Sequence, residues 1–237
     1  MSQPITTDRA ALADLTAEIV ACRRCPRLVE WRERVAREKV ARFRDEPYWA
    51  RPVPGFGDPD GRILVVGLAP AAHGGNRTGR VFTGDASGDF LWAALYRAGL
   101  ADRPTSRRAD DGLTLTDVYI AAAVRCAPPA NKPTIDERDD CAPFLAREVA
   151  LLARARVVIA LGGFGWDAAL RALAAVGARP GTATKPRFGH GAEVAVGRYV
   201  LVGTYHPSQQ NTFTGRLTPA MFDAVIGRAA VLASGDP

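Results

Sequence analysis

The chain is poor in lysine and histidine and has no long apolar run. It has three histidines, and only Lys39, Lys132 and Lys185 among its 31 Lys and Arg residues are lysine. No stretch of 18 apolar residues occurs, and the first ten residues lack a basic segment followed by an apolar one. From these absences we expect a cytoplasmic protein with no membrane-spanning helix, no targeting segment and no membrane contact.

The sequence also lacks the lysine that ends a Walker phosphate-binding loop. A glycine-rich stretch, GLAPAAHGGNRTGRVFTGD, covers residues 67–85, but no Lys-Ser or Lys-Thr pair closes it. Its glycine spacings do not fit the dinucleotide fingerprint either. A nucleotide-binding hydrolase that uses this loop for phosphate is therefore the weaker alternative, although it stays open.

Cysteine is scarce, with four residues, and in a reducing compartment we do not expect these to form disulfides. Cys22 and Cys25 form a C-x-x-C pair, while Cys126 and Cys141 lie far along the chain. Two ligands three residues apart and two distant ones can complete a shell of thiolates around a metal centre. No cysteine is left over, which favours such a site over the alternative of four unrelated core thiols, but the spacing alone does not separate zinc from a [4Fe-4S] cluster.

The chain carries an excess of positive charge. Its 31 Lys and Arg residues against 25 Asp and Glu give a net charge of +6, and nearly all of the basic residues are arginine. Arginine binds phosphates through two parallel hydrogen bonds and stacks on bases, so this composition is compatible with a nucleic acid partner. An arginine-rich genome would produce the same composition. Net charge alone therefore does not decide the partner.

The apolar pattern predicts an α/β protein: a single domain over 1–237 with a three-layer α/β/α sandwich and a mostly parallel, four-stranded central sheet. Continuously apolar strands are typical of a sheet that is covered on both faces. The predicted strands cover 63–68, 118–124, 157–161 and 199–204, with a weak fifth at 193–196. The predicted helices between and after them cover 87–98, 134–153, 163–176 and 218–232, and Thr134 with Glu137 is predicted to form a capping box at the start of the second.

Before the first strand we expect two helices and a long ordered loop. Thr6 or Thr7 is predicted to cap a helix with apolar residues at helical spacing, and Pro26 begins a second charged helical segment that runs to about Phe43. Residues 45–61 are rich in proline and glycine and are predicted to form a loop.

Two polar loops follow strands of the predicted parallel sheet, residues 67–85 and 205–215. Because ligands in such sheets bind beyond the carboxyl ends of the strands, both loops are predicted to form one site. Several of their residues have alternative structural roles. Phe82 is either a stacking surface or part of the core, Asp85 is either a catalytic carboxylate or a helix cap, and His206 is either a ligand-binding or a structural histidine.

These two loops and the four cysteines resemble the uracil-DNA glycosylase superfamily, most closely its family 5 branch, also called type b. The likeness runs from Cys22 to the last helix. It implies a monofunctional hydrolase of base excision repair that removes a flipped base from DNA and leaves an abasic site. It also implies that the cysteines hold a [4Fe-4S] cluster, with zinc as the alternative, which ties the N-terminal helical segment 6–44 to the body.

Three positions depart from relatives within that superfamily. An aspartate of the fastest uracil-specific branch is replaced here by Ala69, and a glutamate of the family 4 enzymes by Leu68. An asparagine that reads the uracil edge in several relatives is replaced by Ala122. The resemblance therefore implies a broad range of substrates that includes uracil, hypoxanthine, xanthine and 5-substituted uracils.

The resemblance also implies roles for individual residues of the site. The catalytic candidates are Asp85, Asn131 and His206. The base-binding candidates are Gly67, Ala69, Phe82 and Ala122. The DNA-contact candidates are Arg77, Arg80, Ser208, Gln209 and Arg216, although Arg77 and Arg80 could equally brace the loop internally.

A non-catalytic iron-sulfur module that grips the DNA backbone with both loops is the second alternative to an enzyme. It would bind damaged and undamaged DNA equally, with strong salt dependence and no base release.

The sequence contains no strong signal for an oligomer, so we expect a monomer.

Overall fold

A computed structural model describes residues 7–235 of the chain. Its helices are α1 (Arg9–Ala21), α2 (Pro26–Glu38), α3 (Gly75–Thr78), α4 (Ala86–Arg97), α5 (Ile135–Leu151), α6 (Gly162–Ala175), α7 (Gln209–Phe213) and α8 (Pro219–Ser234). Its strands are β1 (Phe56–Gly57), β2 (Ile63–Gly67), β3 (Val118–Ala122), β4 (Val157–Leu161), β5 (Glu193–Val196) and β6 (Tyr199–Thr204). None of the helices in this described part of the chain is both long and apolar enough to cross a membrane.

The strands form one six-stranded sheet in the order β1-β3-β2-β4-β6-β5. The four inner strands are parallel, as predicted, and the two edge strands pair antiparallel with their neighbours. The predicted four strands are therefore the parallel centre of a larger sheet. The weak fifth strand is confirmed as β5, whereas β1 lies in the stretch predicted as a loop, because two residues are too few to show a strand period.

Alternate residues along each inner strand pack into opposite layers, which confirms the three-layer sandwich. Ile63 and Val65 face a core formed with α4 and α8. Leu64 and Val66 face a second core formed with α5 and α6. Because the helices that follow β2 and β3 lie on opposite faces of the sheet, a crevice opens at the carboxyl ends of these strands.

The N-terminal helices differ from the prediction in their ends. Asp8 caps α1, since its side chain accepts a hydrogen bond from the backbone N–H of Ala11 at 3.0 Å. Thr7 instead donates its hydroxyl to the carbonyl of Pro59 at 2.7 Å, and Thr6 lies outside the described residues. The second predicted helix is too long, because α2 ends at Glu38 and Lys39 turns the chain with a φ of 50°.

The helix caps near the site follow the sequence signals. Thr134 and Glu137 form the predicted capping box of α5. Two short helices, α3 inside the glycine-rich loop and α7 after His206, were not predicted. One turn of helix carries too few residues for a period of 3.6 to be recognised.

Candidate active site

A cavity of about 570 Å³ lies at the carboxyl ends of the parallel strands. Its walls come from three parts of the chain: the loop that follows β2, the turn that follows β3, and the segment that follows β6. The lining residues are Leu68, Ala69, Pro70, Ala71, Val81, Phe82, Asp85, Ala86, Ser87, Ala122, Ala130, Asn131, Lys132, His206, Ser208, Gln209 and Gln210. The two polar loops predicted to form one site therefore do meet.

His206 and Phe82 both line this cavity, with their rings close to each other. Their ring centroids are 6.1 Å apart, with 34° between the ring planes. Burial lowers the pKa of His206 to about 4, so its imidazole is neutral at physiological pH. A neutral imidazole still carries one N–H, which makes His206 a hydrogen-bond donor without a charge.

The backbone is strained at the cavity. Phe82, Ala130 and Asn131 have φ values of 51°, 52° and 55°, in the left-handed region that side chains with a Cβ rarely adopt. These are three of the six such non-glycine residues in the described chain. Each such residue costs roughly 1–2 kcal/mol, and strain of this kind collects at functional sites.

Phe82 is held in this conformation by its neighbours on α4. The indole N–H of Trp92 donates to the carbonyl of Phe82 at 2.6 Å. Gly88 lies so close to the same carbonyl that a Cβ there would collide with it. The aromatic wall is thus fixed by contacts outside the cavity.

Asp85 is a helix cap, as one of the two interpretations of the sequence predicted, and it also lies at the cavity. Its Oδ1 accepts a hydrogen bond from the N–H of Gly88 at 2.9 Å and caps α4. The same side chain lines the cavity. Burial raises the pKa of Asp85 above its ordinary value near 3.8, although hydrogen bonds from the N–H groups of Gly88 and Ser87 oppose this rise.

The glycines of the loop make room for side chains of the protein itself. A Cβ on Gly67 would lie 2.7 Å from the ring of Phe82, and one on Gly74 would collide with the carboxylate of Asp85. Gly67 does not itself line the cavity, so the structure gives it a supporting position behind Phe82. The bare backbone lets Phe82 and Asp85 take their places at the cavity.

Ala122 and Asn131 bring β3 and its following turn to the site. Ala122 is the last residue of β3, is paired in register with Gly67, and is 2% exposed at the cavity wall. Asn131 is exposed at the rim, where its strained backbone ends a short 3-10 turn of residues 129–131. Lys132 lies beside it and also lines the cavity.

The four cysteines lie together where α1 and α2 meet α5 and the segment that follows β3. Cys126 and Cys141 belong to one small buried cluster, and Cys22 and Cys25 pack against it. Burial and the neighbouring Cys141 raise the pKa of Cys25 to about 12. Within residues 7–235, no three side chains of His, Cys, Asp or Glu converge tightly enough to hold one metal ion.

Comparison with known proteins identifies the family. Residues 54–229 match the model of the Uracil DNA glycosylase superfamily. The chain belongs to the uracil-DNA glycosylase superfamily. It is 55% identical over 225 residues to a type-5 uracil-DNA glycosylase of Mycobacterium tuberculosis, an alignment that covers 94% of this chain and 82% of that protein.

Two further relatives come from other organisms. The type-5 uracil-DNA glycosylase of Thermus thermophilus is 54% identical over 217 residues, which cover 91% of this chain and 95% of the relative. That of Pyrobaculum aerophilum is 45% identical over 226 residues, which cover 95% of each chain. The chain is thus a type-5 member of a family of hydrolases that act on N-glycosyl bonds.

Two arginines predicted to contact DNA are instead buried and bonded to other groups of the protein. Arg77 is 7% exposed, pairs with Glu46 and donates to the carbonyl of His73 at 2.8 Å. Arg80 is 4% exposed and donates to the hydroxyl of Ser106 at 2.6 Å. Their buried, fully engaged guanidinium groups brace the loop, which is the alternative that the sequence left open.

The other residues predicted to contact DNA are more exposed than these two arginines, with Ser208 half-buried and Gln209 and Arg216 exposed. Ser208 and Gln209 are at the mouth of the cavity. Arg216 is exposed, and its guanidinium lies over the ring of Tyr205 at 4.6 Å. These side chains are accessible to a phosphate backbone.

Sequence reasoning missed two residues of this region, Lys132 at the cavity and Phe213 at the end of α7. Lys132 is one of only three lysines, and that rarity could have drawn attention to it. Because it lies far from both polar loops in the sequence, its position at the cavity was not predicted. Phe213 on α7 is 79% exposed, the most exposed of the large hydrophobic side chains in the described structure. An isolated phenylalanine in the polar stretch QQNTFTG was the corresponding signal.

Proposed function

We propose that this protein hydrolyses the N-glycosidic bond of uracil in DNA, and also that of hypoxanthine, xanthine and 5-substituted uracils, as a monofunctional enzyme that leaves an abasic site. The observation that carries this proposal is the cavity in which Phe82, Asp85 and His206 meet at the carboxyl ends of the strands. The names of the type-5 relatives support uracil as a substrate. The breadth beyond uracil rests on this chain's own residues.

A base inside a duplex cannot reach such a cavity, so the nucleotide must be flipped out of the stack. Flipping costs roughly a few kcal/mol and is easiest at mispaired or unpaired bases. Within the cavity, the fixed ring of Phe82 offers a stacking surface for the base. The N–H of His206 can donate to a carbonyl oxygen of the base, where negative charge develops as the base departs.

Hydrolysis breaks the bond between the base nitrogen and C1′ of the sugar, and the electron pair of that bond leaves with the base. The sugar passes through a positively charged, oxocarbenium-like state, which the carboxylate of Asp85 stabilises. Water then attacks C1′, and Asp85 accepts its proton, while the amide of Asn131 at the rim aligns that water. No covalent intermediate with the protein is needed.

Substrate breadth follows from the methyl group of Ala122 at the cavity wall. A site rejects a wrong base chiefly when buried polar groups are left unpaired, and Ala122 has none to leave unpaired. We expect Ala122→Asn to favour uracil over hypoxanthine by roughly tenfold or more. The measurement is the ratio of kcat/KM for the two bases in otherwise identical oligonucleotides.

That ratio has an internal control, because both rates come from the same protein and any loss of folded enzyme cancels. A ratio equal to that of the unaltered chain would contradict the proposed origin of the breadth. Excision of uracil alone by the unaltered chain would do the same.

We propose further that the four cysteines hold a [4Fe-4S] cluster with a structural role, and Arg32 supplies an argument that such a charged group fits. Arg32 is 1% exposed, donates to Sγ of Cys126 at 2.9 Å and forms no ion pair with a described carboxylate. A buried guanidinium needs a compensating negative charge. Thiolates bound to a metal centre would provide that charge, whereas burial raises the pKa of Cys126 to about 11 and would keep a free thiol neutral.

The cofactor prediction is tested by Cys141→Ser. Cys141 is buried in the same small apolar cluster of side chains as Cys126, the residue to which Arg32 donates. The variant should therefore contain less iron and sulfide, lose visible absorption and unfold at a lower temperature. Iron, zinc and sulfide are measured directly in the purified protein. A purified protein that contains stoichiometric zinc and no iron would show that the cysteines hold zinc and would contradict the proposed cluster.

The function itself is tested with oligonucleotides that carry one uracil, hypoxanthine or xanthine, followed by alkali and detection of strand breaks. Breaks at the altered base that appear only after alkali support a monofunctional enzyme. Borohydride trapping of a protein–DNA adduct would contradict this, and Lys132 would be the first residue to examine because it lines the cavity. Binding without any base release would favour the non-catalytic DNA-binding alternative.

A further inference from the structure

A second and larger concavity adjoins the cavity but is separate from it. This groove has a volume of about 1080 Å³, against about 570 Å³ for the cavity. Residues of 42–51 form one side of the groove and residues 107–110 another. Gly84 lines the groove while the next residue, Asp85, lines the cavity, so the two spaces are neighbours across one stretch of backbone.

The groove carries an excess of positive charge at its surface. Four exposed arginines line it: Arg42, Arg51, Arg107 and Arg108. Only Arg108 has a carboxylate partner, Asp110, at 3.0 Å, whereas the other three make no ion pair within the described chain. The second acidic residue of the groove, Glu46, is already paired with the buried Arg77.

Two of these free guanidinium groups are held in place by aromatic rings. Arg42 lies 4.9 Å from the ring centroid of Phe43, and Arg51 lies 5.6 Å from that of Trp49. Trp49 is itself fixed, since its indole N–H donates to the carbonyl of Pro52 at 3.0 Å. An arginine already oriented on a ring loses less conformational freedom when its N–H groups bind a phosphate.

We propose that this groove binds the sugar–phosphate backbone of the DNA that flanks the nucleotide held in the cavity. The inference rests on the proposed function in taking DNA as the partner. Adjacent Cα atoms are about 3.8 Å apart and phosphates advance by about 3.4 Å along each strand of B-DNA, so the groove begins within roughly a few nucleotides of the cavity. Its unpaired arginines match the negative charge of that backbone.

The test compares two double variants that each remove two positive charges. Arg42→Ala with Arg51→Ala alters the groove. The control combines Arg154→Ala with Arg179→Ala, two exposed arginines near the amino end of β4 and beside β5, which make no ion pair within the described residues. Thermal unfolding of both variants shows whether the fold is retained.

Binding is measured by fluorescence anisotropy over a range of salt concentrations, with a labelled oligonucleotide that contains no damaged base, both single-stranded and as a duplex. The groove variant should bind roughly tenfold more weakly than the unaltered chain, and its salt slope should fall by about 1.4 on single strands or about 1.8 on duplex. The control variant should keep the affinity and slope of the unaltered chain. A loss of affinity for either form of DNA supports binding in the groove. The form that is affected shows whether the DNA beside the cavity is bound as a duplex or as a single strand.

Equal losses in the two double variants, or an unchanged groove variant, would overturn the proposal. Because the probe lacks an altered base, the result does not depend on base release. Uracil excision by the unaltered chain is measured separately, so failure of the proposed function and failure of the groove are distinguishable.

Discussion

Replacing Asp85 with asparagine should slow uracil excision by roughly 100- to 1000-fold while the fold remains intact. The carboxylate of Asp85 is the negative group at the cavity that can offset charge on the sugar and accept a proton from water. Asparagine has nearly the same shape but neither ability. It is also as good a helix cap as aspartate, so the hydrogen bond to the N–H of Gly88 can be retained. The measurements are single-turnover excision and thermal unfolding.

Asp8→Asn is the matched control, because Asp8 caps α1 through the same kind of hydrogen bond, to the N–H of Ala11 at 3.0 Å. Asp8 is exposed and does not line the cavity. This variant should excise uracil at the rate of the unaltered chain. If the Asp85→Asn protein stays active, Asp85 has no part in the chemistry and serves only as the cap of α4.

The pH dependence of excision should have the same origin. Because burial raises the pKa of Asp85 above 3.8, activity should fall on the acid side as this carboxylate becomes protonated. His206, whose pKa is lowered to about 4, stays neutral over most of that range. The acid limb should therefore be absent from the residual activity of Asp85→Asn.

Replacing Glu148 with glutamine should lower the free energy of unfolding by about 3–5 kcal/mol. Arg125 and Glu148 form an ion pair in which each side chain is 1% exposed. Arg125 Nη1 donates to Oε1 of Glu148 at 3.1 Å, and Arg125 directly precedes Cys126. Without the carboxylate, the buried guanidinium has no negative partner on α5. The measurement is equilibrium unfolding in urea.

Glu18→Gln is the control for this second prediction. Glu18 pairs with Arg147 and Arg24 at the surface, where its side chain is 42% exposed. Exposed pairs contribute about 0–1 kcal/mol, so the control should lose no more than that. Equal destabilisation of the two variants would show that the buried pair is no more important than the exposed one.

Local patterns were enough to predict most of the fold. The apolar runs at 63–68 and 157–161 identified inner strands, and Thr134 with Glu137 identified the start of α5. The errors occurred where the signal was short or ambiguous. β1 has two residues, and Asp8 and Thr7 are both acceptable caps that differ only in their tertiary contacts.

The sequence was a better guide to which residues lie near the cavity than to what each of their side chains does there. Asp85, Phe82 and His206 were expected at one cavity because parallel strands bring their carboxyl ends to the same edge. Arg77 and Arg80 look like DNA contacts in the sequence, since a polar loop does not show which of its side chains turn inward. Their partners Glu46 and Asp111 lie 31 residues away in the chain.

The sequence by itself determined the α/β sandwich, the parallel strands, the two polar loops and the family resemblance, because these depend on periods and motifs contained within a few dozen residues. Only the tertiary structure decided that Gly67 and Gly74 make room for Phe82 and Asp85, that two arginines are buried, and that a basic groove adjoins the cavity. Those features depend on the distance and burial of groups from separate segments. The packing of the whole chain sets both, and no local pattern records them.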